Sequence, residues 1–115
     1  MKDNDTSEKV ADLEAALEQI RAQASAGRIR ITQHAQQEMV QEDIVLDDVL
    51  EAIATGQIIE NYPEHRRGAC CLLYGCTQDN YPLHIVCTTA QPLLIIITVY
   101  RPKPPKWITP TRRRQ

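Results

Sequence analysis

The sequence lacks most of the patterns that mark a cofactor enzyme. Glycine occurs only four times, at Gly27, Gly56, Gly68 and Gly75, and no glycine-rich phosphate loop is formed. That argues against a nucleotide-cofactor enzyme. HExxH, GxSxG and nucleophilic Ser–His motifs are also missing. No apolar run approaches the roughly 18 residues a membrane-spanning helix needs. The longest, Pro92–Tyr100, is about half that, so no membrane partner is expected. The first residues, MKDNDTSEK, are acidic and polar and do not resemble a signal peptide. The expected compartment is therefore the cytoplasm, where cysteines stay reduced. Internal repeats are absent.

The four cysteines, Cys70, Cys71, Cys76 and Cys87, include no CxxC pair, the usual zinc knuckle. Cys70 and Cys71 are adjacent and on a strand would point to opposite faces. Buried reduced thiols are the simpler reading. A metal site from Cys76, Cys87 and His84 is the weaker one. No metal and no cofactor are expected.

What is present is a chain of 115 residues, 43% hydrophobic and 24% charged, the size and composition of one globular domain. Its net charge of −2 hides an asymmetry. Residues 1–60 carry 5 Lys/Arg against 13 Asp/Glu, whereas residues 61–115 carry 8 against 2. Either the two halves complement each other in the fold or the basic half meets a polyanion or an acidic partner.

Val10, Leu13, Leu17 and Ile20 recur at helical spacing, so residues 6–26 read as an amphipathic helix capped by Asp5 or Thr6 and ended by Gly27. It could pack on the domain or serve as an oligomer contact. Arg28–Ile31 alternates as a short strand. His34–Gln41 and Asp47–Thr55 read as helices, the second capped by Asp47 and closed by Gly56. Strands follow at Gln57–Tyr62, Ala69–Cys76 and Tyr81–Thr89. The last two form a hairpin around Gln78–Asn80 that sets Tyr74 opposite His84. Leu93–Tyr100, LLIIITVY, is apolar at both parities and reads as a central strand covered on both faces. The segment RPKPPKWITPTRRRQ reads as an extended basic tail. Helices segregated from strands indicate an α+β fold, with N-terminal helices packed on a roughly four-stranded antiparallel sheet. Three segments result: a helical extension at 1–27, an α+β domain at 28–101, and a basic, proline-rich tail at 102–115.

Three histidines bear on chemistry. His34 precedes Glu38 by four residues, which puts both on one helix face. Such a pair can orient an imidazole as a general base. The plainer alternative is that His34 caps the helix and Glu38 is a solvated charge. His84 lies inside a strand and needs a partner or an opening to water. His65, in EHRR, reads as a surface residue. Tyr100 and Arg101, at a strand end, are suited to holding a phosphate. Trp107 could stack on a base or anchor the tail.

The blocks ITQHAQQEM, DIVLDDVLEAIATGQIIENYP, CLLYG, PLHIVC and ITVYRPKPPKW, with the terminal RRR, together resemble the DUF4258 family of small prokaryotic proteins over about Arg28–Arg114. The resemblance implies a RelE- or barnase-like α+β fold and a toxin of a toxin–antitoxin pair, with a small antitoxin-like protein as partner and RNA as substrate. It matches His34, His84, Tyr100, Trp107 and the terminal arginines. It departs at Glu38 and Glu42, where the family commonly carries arginine. The expectation is a metal-independent endoribonuclease-like domain. His34 and His84 would act as acid and base with Tyr100, and Arg101, Trp107, Arg112, Arg113 and Arg114 would contact RNA. The alternative is a non-enzymatic protein-interaction module, which the two glutamates favour.

Overall fold

The structure, a computed structural model of the chain, describes residues 2–66, 68–103, 107–109 and 111–113; for 2–9, 107–109 and 112–113 it describes the backbone alone. The first helix, α1, spans Lys2–Ser25. It starts earlier than expected, so Asp5 and Thr6 lie inside it and are not its caps. Gly27 does end it, at φ +73°. There Arg28 N–H donates to Gln23 O and Gly27 N–H to Ala24 O, the paired bonds of a Schellman stop. The apolar stripe turns inward. Ile20 is wholly buried in the core, with Leu17 and Ala24 packed against it. Arg21 donates through Nε to Ile53 O at 3.3 Å and through Nη2 to Gly56 O at 2.7 Å. These carbonyls belong to the C-terminal end of the third helix, where a cation also suits the helix dipole.

Strand β1 (Ile29–Ile31) leads into α2 (Gln33–Glu42) and α3 (Leu46–Thr55). Strands β2 (Gln57–Tyr62), β3 (Cys70–Cys76), β4 (Pro82–Thr88) and β5 (Leu94–Tyr100) follow. α2 ends at Asp43, which takes the left-handed conformation with φ 56° and ψ 47°. α3 is capped at Val45, and the expected cap, Asp47, lies in its first turn.

The fold is α+β, but the sheet is not the expected four antiparallel strands. It has five, in the order β1-β5-β4-β3-β2, and it is mixed. β1 pairs in parallel with β5, Ile29 opposite Leu94 and Ile31 opposite Ile96. Three residues of alternating Arg and Ile were too short to declare that pairing. The tail departs from expectation as well. Trp107–Thr109 (β6) pairs antiparallel with Arg112–Arg113 (β7), so it is not simply extended.

β4, not β5, is the central strand. β5 carries a bulge instead: Thr98 lies opposite Val86 but Ile96 opposite Cys87, which leaves Ile97 as the extra residue. The bulge switches the side-chain phase. Leu94 and Ile96 face the core before it, and Val99 faces the core after it. A strand whose inward parity changes midway reads as apolar at both parities.

α3 lies unusually close to β3. A Cβ on Gly75 would fall 1.9 Å from Ala52 O, and one on Gly56, the C-cap of α3, 2.9 Å from Tyr74 O. The Thr55 hydroxyl locks the contact, donating to Cys76 O at 3.0 Å and accepting from Cys76 N–H at 3.2 Å. Gly75→Ala must push helix from sheet, because the clash is with backbone. It should cost about 3 kcal/mol or more, read as a lowered urea midpoint.

Candidate functional site

The site is built on the outer edge of β5. β1 covers that edge only as far as Ile96, where Thr32 N–H donates to Ile96 O at 3.1 Å. Thr32 then caps α2. Its hydroxyl accepts from Ala35 N–H at 3.1 Å and donates to Ile97 O at 3.0 Å. From there α2 runs beside the uncovered half of β5. Glu38 Oε1 accepts from Val99 N–H at 3.0 Å and from the Thr98 hydroxyl. Glu42 Oε2 accepts from Arg101 N–H at 2.7 Å. The spacing explains the match. Residues four apart on a helix rise about 6 Å, and alternate residues of a strand advance about 6.7 Å. The bulge at Ile97 supplies the phase, because it turns the N–H groups of residues 99 and 101 outward. Glu38 and Glu42 are therefore acceptors for a sheet edge, not solvated charges.

His34 sits one turn before Glu38, its Nε2 3.4 Å from Glu38 Oε1, with 68% of the side chain exposed. His84 is 0% exposed. It lies in β4 on the face turned away from the helices, because its neighbours Leu83 and Ile85 enter the core. Tyr74 and Tyr100 are its cross-strand partners, the first as expected. Nδ1 of His84 is 3.1 Å from the Tyr100 hydroxyl, and both tyrosine rings meet the imidazole edge to face. The structure thus joins His84 to Tyr100, while His34 holds Glu38 on another element in an open environment. Glu38 in turn reaches Thr98, two residues before Tyr100 on its strand.

Arg101 donates through Nε and Nη2 to Glu42 O at 3.3 and 3.2 Å, and its guanidinium lies 5.3 Å from the Tyr81 ring centroid. Lys103 Nζ is 3.4 Å from Glu42 Oε1. The side chains of Trp107, Arg112 and Arg113, and the whole of Arg114, lie outside the described residues.

Sequence reasoning missed a cleft of about 400 Å³ beside Arg101, lined by Asp43, Asp48, Asp79, Thr77 and Tyr81 among others. Asp79 and Tyr81 come from the β3–β4 turn, where Thr77 Oγ1 accepts from Tyr81 N–H at 3.2 Å and Asn80 is left-handed at φ 66°. The signal was the turn composition, which foretold the turn but not what it faces.

Among the described residues no group of three His, Cys, Asp or Glu could hold a metal ion. Register explains why the cysteine reading fails. Cys76 shares the His84 face, whereas Cys87 pairs with Cys71 on the core face. A hydrogen bond with Cys71, then burial, pushes the Cys87 thiol well up; burial, then neighbouring Cys71, raises Cys70. The Tyr74 phenol is raised by its hydrogen bond with Cys76, then by burial.

A family model described as a domain of unknown function (DUF4258) matches residues 31–101. No curated protein and no solved structure matches the chain.

Two outcomes follow from this geometry. Glu38→Ala or Glu42→Ala strands a backbone donor and should cost about 1–3 kcal/mol each. Glu38→Gln, which keeps an acceptor, should cost less, and Glu38→Arg, which sets donor against donor, more; urea unfolding ranks them. Thiol labelling of the native protein should modify Cys76 first, because Cys70, Cys71 and Cys87 are buried. The other three should react only on unfolding.

Proposed function

Because the chain belongs to the DUF4258 family, whose description assigns no activity, we propose from its own geometry that it is a non-enzymatic protein-interaction module. One observation carries the reading: of the described groups a ribonuclease would need free, all but His34 are engaged inside the fold. The Arg101 guanidinium is held by a main-chain carbonyl and stacked on Tyr81. Glu42 binds the Arg101 backbone, and His84 has no exposed surface. The cleft beside Arg101 carries three aspartates, which repel a phosphate chain and attract cations.

A second reading is favoured by the His84–Tyr100 hydrogen bond and by the accessible His34 held at Glu38. In it the α+β domain is RelE- or barnase-like and acts in a prokaryotic cytoplasm as the toxin of a toxin–antitoxin pair. It would cleave RNA without metal, with a small antitoxin-like protein as its partner. His34 and His84 would be the acid–base groups with Tyr100 beside them. Arg101, Trp107 and Arg112–Arg114 would contact the substrate.

Incubation of total RNA with the purified protein in EDTA separates the two. The interaction reading expects intact RNA with the natural sequence and with His34→Ala alike. Cleavage that survives EDTA and disappears in a folded His34→Ala variant would overturn it and install the second reading.

A further inference from the structure

Around the turn between α2 and α3 three large aliphatic side chains are exposed within seven residues: Val40 of α2 at 82%, Val45 at 55% and Leu46, the first residue of α3, at 45%. Clustered exposed apolar groups rimmed by polar ones are a common sign of a docking surface. Here the rim is mainly acidic. Asp43 is the C-cap of α2, Asp47 and Asp48 lie in the first turn of α3, and Asp79 lines the cleft with Asp43 and Asp48. Arg101 is the cation of that cleft, and Lys103 is engaged with Glu42.

Val45 adds an independent observation. It occupies the N-cap of α3, where Ser, Thr, Asp or Asn would accept a hydrogen bond from the first turn. Its side chain makes no capping bond. Only half of a capping box remains, Asp48 Oδ2 accepting from Val45 N–H at 3.0 Å. A valine at this position gives up the cap while 55% of it stays exposed. Such a loss is expected where a side chain serves something outside the fold.

We propose that this corner docks a cationic amphipathic segment of a partner protein. Its aliphatic residues cover Val40, Val45 and Leu46, and a flanking arginine or lysine enters the Asp43–Asp48–Asp79 cleft. The inference rests on the interaction reading above and gives it a surface and a partner chemistry. Charge complementarity selects the occupant: an acidic segment or a nucleic acid would meet aspartates on most sides, and an uncharged apolar one would leave them unanswered.

The test is a fluorescence-anisotropy titration of the full chain with a synthetic helical peptide of about four turns, leucines on one face and arginines on its flanks. The natural sequence should bind it, more weakly as salt rises. Val45→Ser should raise the melting temperature by restoring a cap, yet lower peptide affinity about tenfold. Asp43→Asn with Asp79→Asn should weaken binding and flatten its salt dependence. Glu18→Gln, on α1, should change nothing. The proposal fails if the natural sequence does not bind. It also fails if the corner variants bind as well as the natural sequence, if a scrambled peptide with unsegregated leucines and arginines binds equally, or if single-stranded RNA displaces the peptide. Cleaved RNA with corner-dependent peptide binding would remove the non-enzymatic reading and leave the docking surface standing. Intact RNA without corner-dependent binding would do the reverse.

Discussion

A β-strand with an uncovered edge must find acceptors for its outward N–H groups or leave them to water and to other chains. In this protein that requirement organises the structure. β1 is only three residues long and covers the first half of β5. The second half is covered by two carboxylates from a helix. Everything near the candidate site follows from this arrangement. α2 must lie alongside β5, Thr32 must both end β1 and start α2, and Arg101 must emerge where Glu42 can hold its backbone and its guanidinium. Glu38 and Glu42 are the residues the edge depends on. Their chemistry is that of acceptors facing donors, which arginine at the same positions could not supply.

Much of the architecture was legible in the sequence. The helical spacing of Val49 and Ile53, the left-handed stop at Gly27 and the Tyr74–His84 register all follow from local rules. The failures have definite causes. β1 was too short for its parallel partner to be visible. β5 read as central because the bulge at Ile97 exchanges its inward and outward residues, and a single exchange mimics a strand apolar on both sides. The role of Glu38 was misread because no local pattern reveals that a helix lies beside an open strand edge. The cleft was hidden for a related reason. Asp43 and Asp79 are far apart in the chain, and each has an ordinary local role in a helix stop or a turn.

The helix outside the family match is not a loose appendage at its C-terminal end. Ile20 fills the core, Arg21 satisfies two carbonyls at the end of α3, and Gln23 donates to Gln91 O at 2.6 Å. α1 thus fixes the end of α3 opposite the Val45 corner. The close approach of Gly75 to the Ala52 backbone fixes the same helix against the sheet. With one end and one face immobilised, α3 presents its N-terminal turn as a rigid platform.

The two halves of β5 are held by different kinds of bond, and they should open in different ways. The amide of Leu94 is bonded to backbone, to Arg28 O, and is released only when β1 leaves the sheet. The amides of Val99 and Arg101 are bonded to glutamate side chains that are not wholly buried. A carboxylate lets go by rotating about its own χ angles, a faster motion than the separation of strands. Hydrogen-exchange protection should therefore fall along β5 from its start to its end. The end that lets go first is the one that carries Tyr100 and Arg101.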